Sequence, residues 1–237
     1  MAYYPAMLDL RNRAVLFIGG GWETALKVRG LLEAGAQVTL VSPHAHPELE
    51  PLLEAGRIVW HRRAYQPADL EGVWLVMSHP VDKAENAAVY AAAEAQGKLC
   101  NCVDDPERCN FILPSVLRRG DLIVSFSTSG TAPALGVRLK QRLAAELGEE
   151  YTVFLKILRE LRFGITAGFS DFETRKNLWY TLVDSDALEW LRQENPVAAK
   201  AELETIIAAR GEACRTTRCA GCVGKICQAG DSVLAHA

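Results

Sequence analysis

The amino-acid sequence predicts an α/β protein, with a Rossmann-like parallel sheet in its first half and an all-helical region near its end. At residues 14–34, an apolar run leads directly into three glycines and a helical segment. Short apolar runs then alternate with helical segments, which is typical of a parallel sheet. Beyond Gly148 the strand patterns end, and the remaining segments have the composition of helices.

The first strand and the glycine turn predict a dinucleotide site. Ala14–Ile18 is an uninterrupted apolar run, as expected for a strand that is buried on both faces. The turn consists of Gly19, Gly20 and Gly21, and the helix that follows would direct its N–H groups and positive dipole end at a pyrophosphate. Gly19 and Gly21 fit the first two positions of the dinucleotide fingerprint, whereas Thr24 stands where Gly or Ala is expected. Taken alone, this pattern fits equally well a structural turn in another α/β unit.

The second strand is predicted at residues 37–41 and completes a βαβ unit. It ends at Ser42 and Pro43, where many NAD sites have an acid that binds the ribose hydroxyls. Because Ser42 offers a hydroxyl group instead, the sequence does not indicate a preference between NAD and NADP.

Later strands are predicted at 58–60, 73–77, 99–103 and 122–127, and helices at 48–55, 82–96 and 132–147. The strand at 99–103 brings Asp104 and Asp105 to the sheet edge where ligands of such sheets bind, so an acid here is a candidate for chemistry. The two side chains should point to opposite sides, which argues against a carboxylate pair. His79 follows the strand at 73–77, and the favoured interpretation is a solvent-exposed turn histidine, with a site residue as the alternative.

A hydroxyl-rich loop precedes the helix at 132–147. It comprises Ser127, Thr128, Ser129, Gly130 and Thr131. These residues suit an N-terminal helix cap, an anion site at a helix start, or both. Further helices are predicted at 151–163, 172–183, 187–193 and 196–210.

Four cysteines cluster near the end of the chain, at Cys214, Cys219, Cys222 and Cys227. Thiolates that are close in sequence can surround one soft metal ion, so we predict that they bind zinc or an iron–sulfur cluster. Free or oxidised thiols on a flexible tail are the alternative.

Charge and composition exclude several classes of function. The chain has 237 residues and a net charge of −3, which gives no reason to expect nucleic-acid binding. No signal peptide or membrane-spanning apolar run is visible, so a cytoplasmic protein without membrane contact is expected. In that compartment the seven cysteines should be thiols or metal ligands rather than disulfides.

Several motifs in order resemble one known family. They are Tyr4-Pro5, Gly19-Gly20-Gly21, Lys27, Leu31 to Ala36, Asn101 to Pro106, Phe111 to Pro114, Arg119-Gly120 and Ser127 to Pro133. In this sequence they resemble the precorrin-2 dehydrogenase / sirohydrochlorin ferrochelatase family, the NAD-dependent module of siroheme synthase. The resemblance implies NAD-dependent oxidation of precorrin-2 to sirohydrochlorin, with iron insertion as a second activity of some members. It also implies a homodimer joined through the region after the nucleotide domain.

The resemblance also implies domain boundaries and site residues. The expected parts are an NAD-binding domain at 1–113, a dimerisation segment at 114–148, a helical domain at 149–212 and a cysteine-rich tail at 213–237. The essential aspartate of the family matches Asp104, which can also be argued to act as a general base at a strand end. The nucleotide contacts fall on Gly19, Gly20, Gly21, Trp22, Glu23, Ser42 and Pro43. The substrate is expected at Ser127–Thr131 and Arg138, although Arg138, like Arg118, Arg119, Lys140 and Arg142, could equally belong to a solvated face.

Some positions depart from the pattern of the family. Glu23, Thr24 and Leu26 replace the more usual Val, Ala and Arg, and a carboxylate at Glu23 would repel a pyrophosphate. Ser78 and His79 replace Ala and Thr. These departures leave open a second function, a non-catalytic protein that senses tetrapyrroles or redox state on the same fold.

Overall fold

The computed structural model describes residues 3–216. The chain forms two compact units. The first runs to Leu113 and includes Ser127–Ala132, and the second holds Pro114–Phe126 and the described residues from Pro133. The finer division expected from the sequence, into a dimerisation segment, a helical domain and a tail, stays a prediction.

The first unit is built on a five-stranded parallel sheet in the order β3-β2-β1-β4-β5. Its strands are β1 (Ala14–Ile18), β2 (Gln37–Val41), β3 (Ile58–His61), β4 (Leu75–Ser78) and β5 (Leu99–Cys102). This is the strand order of a Rossmann-like sheet, with β1 at its centre. The predicted α/β class is confirmed.

The central strand is buried on both faces. Val15 and Phe17 belong to one hydrophobic cluster, whereas Leu16 and Ile18 belong to another. Because successive side chains of a strand point to opposite faces, these two clusters lie on the two sides of the sheet. An apolar run without alternation is what such a strand requires.

Three helices belong to the first unit, namely α1 (Trp22–Glu33), α2 (Glu50–Glu54) and α3 (Glu85–Ala95). Single 3₁₀ turns occur at Pro47–Leu49, Pro67–Leu70 and Pro106–Arg108, and each starts with proline. Proline at the first helical position leaves no N–H group unpaired there.

The second unit begins with an antiparallel hairpin of β6 (Ser115–Arg119) and β7 (Leu122–Phe126). The sequence predicted β7 but not β6, because β6 carries two arginines and only Leu117 of its five residues is buried. Helix α4 (Pro133–Glu146) packs on this hairpin, since a Cβ at Gly136 would lie 3.5 Å from the carbonyl oxygen of Phe126.

The remaining helices are α5 (Glu150–Gly168), α6 (Phe172–Val183), α7 (Ala187–Arg192) and α8 (Pro196–Thr216). They share a hydrophobic core that includes Phe154, Leu178, Leu182 and Leu203. Among the residues that the structure describes, none of the helices is both long and apolar enough to span a bilayer.

Candidate active site

The glycine turn after β1 is packed too tightly for any side chain at its first two positions. Gly19 has φ +92°, and a Cβ there would come within 2.0 Å of the carbonyl oxygen of His79. A Cβ at Gly20 would come equally close to the carbonyl oxygen of His44. At Gly21, by contrast, an added Cβ would meet nothing within 4 Å. The turn therefore has a crowded inner side and an open outer side at Gly21.

The open side coincides with the start of α1. Gly21 is the N-cap residue and offers no side chain to the first-turn N–H groups. Thr24 is fully buried, and its hydroxyl donates a 2.6 Å hydrogen bond to the carbonyl oxygen of Gly19. The threonine at the third fingerprint position thus closes the turn. The Glu23 carboxylate lies 3.2 Å from the ammonium of Lys27, which offsets the charge that would repel a pyrophosphate.

The end of β2 lies beside this turn. Ser42 is buried, and its hydroxyl accepts a 3.4 Å hydrogen bond from the N–H of His44, while Pro43 is exposed. The exposed Trp22 ring meets the ring of His46 edge to face, with centroids 5.2 Å apart. The backbone N–H of His46 donates to the carbonyl oxygen of Gly20 at 2.7 Å, so His46 joins this edge although the sequence did not single it out.

The glycine turn and the aspartates lie at the same edge of the sheet. Ile18 pairs with Ser78, and Ser78 pairs with Cys102, so β1, β4 and β5 end level. The Asp104 carboxylate is 68% exposed, and one of its oxygens lies 3.8 Å from Nε2 of His79. The His79 side chain is only 23% exposed, so the favoured interpretation of a solvent-exposed turn histidine is wrong.

Asp105 has a different environment from Asp104. Its two carboxylate oxygens accept hydrogen bonds from Arg108 at 2.9 and 3.1 Å, and its side chain is 15% exposed. The amide of the buried Asn86 donates to the same carboxylate at 3.4 Å, and the Ser78 hydroxyl donates to Asn86 at 2.9 Å. This network ties the loop after β5 to α3 and β4, so Asp105 has a structural role that leaves Asp104 available for chemistry.

Three cysteines lie close to these aspartates, and all are free thiols. Burial raises the pKa of the Cys109 thiol to about 11, and contact with Cys100 together with burial raises that of Cys102. A raised pKa disfavours the thiolate, which makes these thiols poor nucleophiles. The described part of the chain contains no group of three or more His, Cys, Asp or Glu residues suited to a metal ion.

Two hydroxyl groups of the hydroxyl-rich loop accept hydrogen bonds from backbone N–H groups of the same segment. The Thr128 hydroxyl accepts a 3.0 Å hydrogen bond from the N–H of Ala132, and the Ser127 hydroxyl accepts one from Ser129 at 3.1 Å. Ser129 and Gly130 have positive φ angles, of 53° and 83°. The capping interpretation therefore holds for two of the hydroxyls, and the anion site stays a prediction.

Two arginines of the second unit differ in availability. Arg119 donates to the carbonyl oxygens of Leu147 and Ala144 at 2.8 and 3.3 Å, which stabilises the end of α4. The exposed Arg138 donates a 3.2 Å hydrogen bond to the neutral side-chain oxygen of Gln141. Of the two, Arg138 is the one whose charge remains available to a ligand. The side chains of the predicted metal ligands Cys214, Cys219, Cys222 and Cys227 lie outside the described residues.

The edge has the features that a dinucleotide needs. It offers first-turn N–H groups without a side-chain cap, open space at Gly21, and a backbone that turns at Gly19 and Gly20. These features suit a pyrophosphate group at the start of α1.

Comparison with known proteins agrees with this geometry. Residues 6–115 match the protein family described as "Putative NAD(P)-binding". The chain is 36% identical over 217 residues to siroheme synthase 1 of Aeromonas salmonicida, covering 90% of this chain and 46% of that protein. It is 38% identical over 179 residues to siroheme synthase 1 of Yersinia enterocolitica, covering 76% and 38%. The chain thus spans less than half the length of these relatives.

A solved structure is similar along nearly its whole length. The structure named SirC, precorrin-2 dehydrogenase, superposes with a TM-score of 0.71 at 26% identity. The match covers 86% of this chain and 98% of SirC. By sequence and by fold, the chain belongs to the family that comprises the NAD-binding module of siroheme synthases and SirC.

Proposed function

We propose that this protein oxidises precorrin-2 to sirohydrochlorin with NAD as the hydride acceptor. The observation that carries the proposal is the exposed carboxylate of Asp104 at the sheet edge that also holds the glycine turn. The similarity to a precorrin-2 dehydrogenase over nearly all of that protein's length supports the choice of substrate.

In this proposal the glycine turn binds the cofactor. The first-turn N–H groups of α1 bind the pyrophosphate next to Gly21, where space is open. Trp22 and Glu23 flank this position, and Ser42 and Pro43 border the ribose. A dinucleotide held there would supply the hydride acceptor for the reaction.

Asp104 acts as the general base. Oxidation of a saturated carbon by hydride loss also releases a proton, which a nearby carboxylate can accept. Insertion of iron would require the ring nitrogens to lose two protons, so the same carboxylate could serve a second, ferrochelatase reaction. Arg138 and the hydroxyl-rich loop Ser127–Thr131 are the proposed contacts for the carboxylate groups of the tetrapyrrole.

We also infer that the protein is a homodimer. Exposed apolar side chains occur on the hairpin and on α4, at Val116, Leu135, Val137 and Leu139. Burial of such residues between two copies would remove apolar surface from water. Light scattering would measure the oligomeric state, and a particle of about 26.0 kDa would contradict this inference.

For the cysteine tail, we propose that Cys214, Cys219, Cys222 and Cys227 bind zinc or an iron–sulfur cluster. Their clustering within a short segment is the support. Elemental analysis and an absorption spectrum of anaerobically purified protein test this proposal. Less than one zinc or cluster per chain, with no visible absorption band, would remove it.

The assay that tests the function supplies precorrin-2 and NAD to the purified protein, with and without ferrous iron. We expect sirohydrochlorin without iron, and siroheme in addition if the protein also inserts iron. A parallel reaction with NADP determines the cofactor preference. Absence of product in every reaction, with precorrin-2 bound, would instead support a non-catalytic tetrapyrrole-binding protein.

A further inference from the structure

His79 is held in place by its backbone. Its N–H donates to the carbonyl oxygen of Ile18 at 2.8 Å, and its own carbonyl group fills the space that a side chain at Gly19 would need. The next residue, Pro80, is buried and fixes the direction of the chain. Because the backbone is fixed on both sides, the position of the imidazole depends only on the two side-chain torsion angles of His79.

The imidazole faces the proposed base. Nε2 of His79 lies 3.8 Å from a carboxylate oxygen of Asp104, and the His79 side chain is 23% exposed. The two residues follow the ends of the neighbouring strands β4 and β5, and the N–H of Val103 donates to the carbonyl oxygen of Ser78 at 2.8 Å. A separation of 3.8 Å exceeds a hydrogen bond, but catalytic contacts commonly shorten when substrate binds.

Asp104 has an unusual backbone conformation. Its φ of 61° lies in the left-handed region, which residues other than glycine rarely adopt. Such conformations cost free energy and persist where the surrounding structure enforces them, often at functional sites. At Asp104 this backbone conformation occurs together with an exposed carboxylate that lies 3.8 Å from the His79 imidazole.

The other charged side chains at this edge of the sheet are paired with an opposite charge or exposed. Asp105 is paired with Arg108, and Glu23 on α1 is paired with Lys27. Asp82 and Lys83 follow His79 in the same loop, and both are exposed. Among the described residues, the His79 imidazole is the one basic group within 4 Å of the Asp104 carboxylate.

We propose that His79 positions Asp104 and receives the proton that Asp104 takes from the substrate. This proposal rests on the proposed function. In each turnover the substrate loses one hydride to the nicotinamide and one proton to the Asp104 carboxylate. The proton then passes to Nε2 of the neutral imidazole, and from the imidazolium to water. Asp104 returns to its ionised form, and the atoms and charges balance.

The first test is kinetic. His79→Gln keeps a polar side chain of similar size but cannot carry a proton as imidazole does. We expect kcat for sirohydrochlorin formation to fall by roughly 10- to 100-fold, with KM for both substrates changed less than about twofold. The dependence of kcat on pH should change shape, because one titrating group has been removed. His61→Gln is the matched control, because His61 is exposed at the end of the edge strand β3. Its kcat and pH profile should equal those of the native protein.

Chemical rescue separates a proton-transfer role from a packing role. In His79→Ala, added imidazole should restore part of the lost kcat, whereas the same concentration should leave Asp104→Asn inactive. A His79→Gln protein with native kcat and pH profile, or a His79→Ala protein that imidazole does not rescue, would overturn the proposal. Neither result would affect the proposed function, because that function is tested with the native protein alone.

A spectroscopic measurement needs no turnover. The ring C–H signals of His79 can be assigned in proton NMR spectra by their absence in His79→Gln. Because the Asp104 carboxylate lies 3.8 Å from Nε2 of His79, the chemical shifts of these signals at a fixed pH should differ between Asp104→Asn and the native protein. Identical chemical shifts in the two proteins would show that the side chains do not interact, and would contradict the proposal.

Discussion

Replacement of Asp104 by asparagine is expected to lower the rate of sirohydrochlorin formation by about 10²- to 10⁴-fold, the usual contribution of a general base. The amide has the size of the carboxylate but does not accept a proton. Asparagine is preferable to alanine in this experiment because the φ of 61° at this position is tolerated by asparagine far better than by most residues. The fold should be unaffected, since the Asp104 side chain is 68% exposed.

The measurement is the initial rate of NADH formation with precorrin-2, together with the affinity for NAD, which should be unchanged. Glu107→Gln is the matched control, because Glu107 is an exposed acid in the 3₁₀ turn that follows the aspartates. It should retain the native rate. If Asp104→Asn also retained the native rate, Asp104 would not be the base, although the assignment of the substrate could still stand.

Replacement of Gly19 is expected to lower stability, whereas replacement of Gly21 is expected to weaken cofactor binding without a change in stability. In Gly19→Ala, the new Cβ would lie within 2.0 Å of the carbonyl oxygen of His79 and 2.6 Å of its carbon, in a conformation with φ of +92°. The neighbouring atoms are backbone of a strand end, which cannot move without breaking the sheet edge. We expect a loss of stability of about 3 kcal/mol or more in the first unit.

Gly21→Ala should leave stability unchanged and weaken cofactor binding. Its Cβ would meet nothing within 4 Å, and φ at Gly21 is −80°, which alanine adopts readily. The added methyl group would occupy the space through which a pyrophosphate approaches the start of α1. We expect at least a tenfold increase in Kd for NAD, which corresponds to about 1.4 kcal/mol.

Thermal unfolding and calorimetric titration with NAD distinguish the two variants. Gly19→Ala should lower Tm by about 6–12 °C, from the usual relation between stability and Tm for chains of this size. Gly21→Ala should keep the native Tm. Native NAD affinity in Gly21→Ala would contradict the placement of the pyrophosphate at this turn, whereas a native Tm in Gly19→Ala would contradict the close packing at His79.

Much of the fold could be predicted because the signals are local. The five apolar runs that form the parallel sheet were all identified, since each is short, apolar and bounded by turn residues. Strand β6 was not, because its arginines and single buried residue resemble a loop when the partner strand is unknown. Thr24 looked like a defect in the fingerprint, and only the fold shows that its hydroxyl binds the carbonyl group of Gly19.

Residue order was enough to predict the α/β class, the position of the glycine turn and the two aspartates that follow β5. The contacts of Asp105 with Arg108 and Asn86, and of Asp104 with His79, are visible only in the folded protein. Strand and turn patterns depend on neighbours along the chain, so they can be recognised from residue order. Contacts between side chains from separate strands depend on strand order and register, which form only when the sheet is assembled.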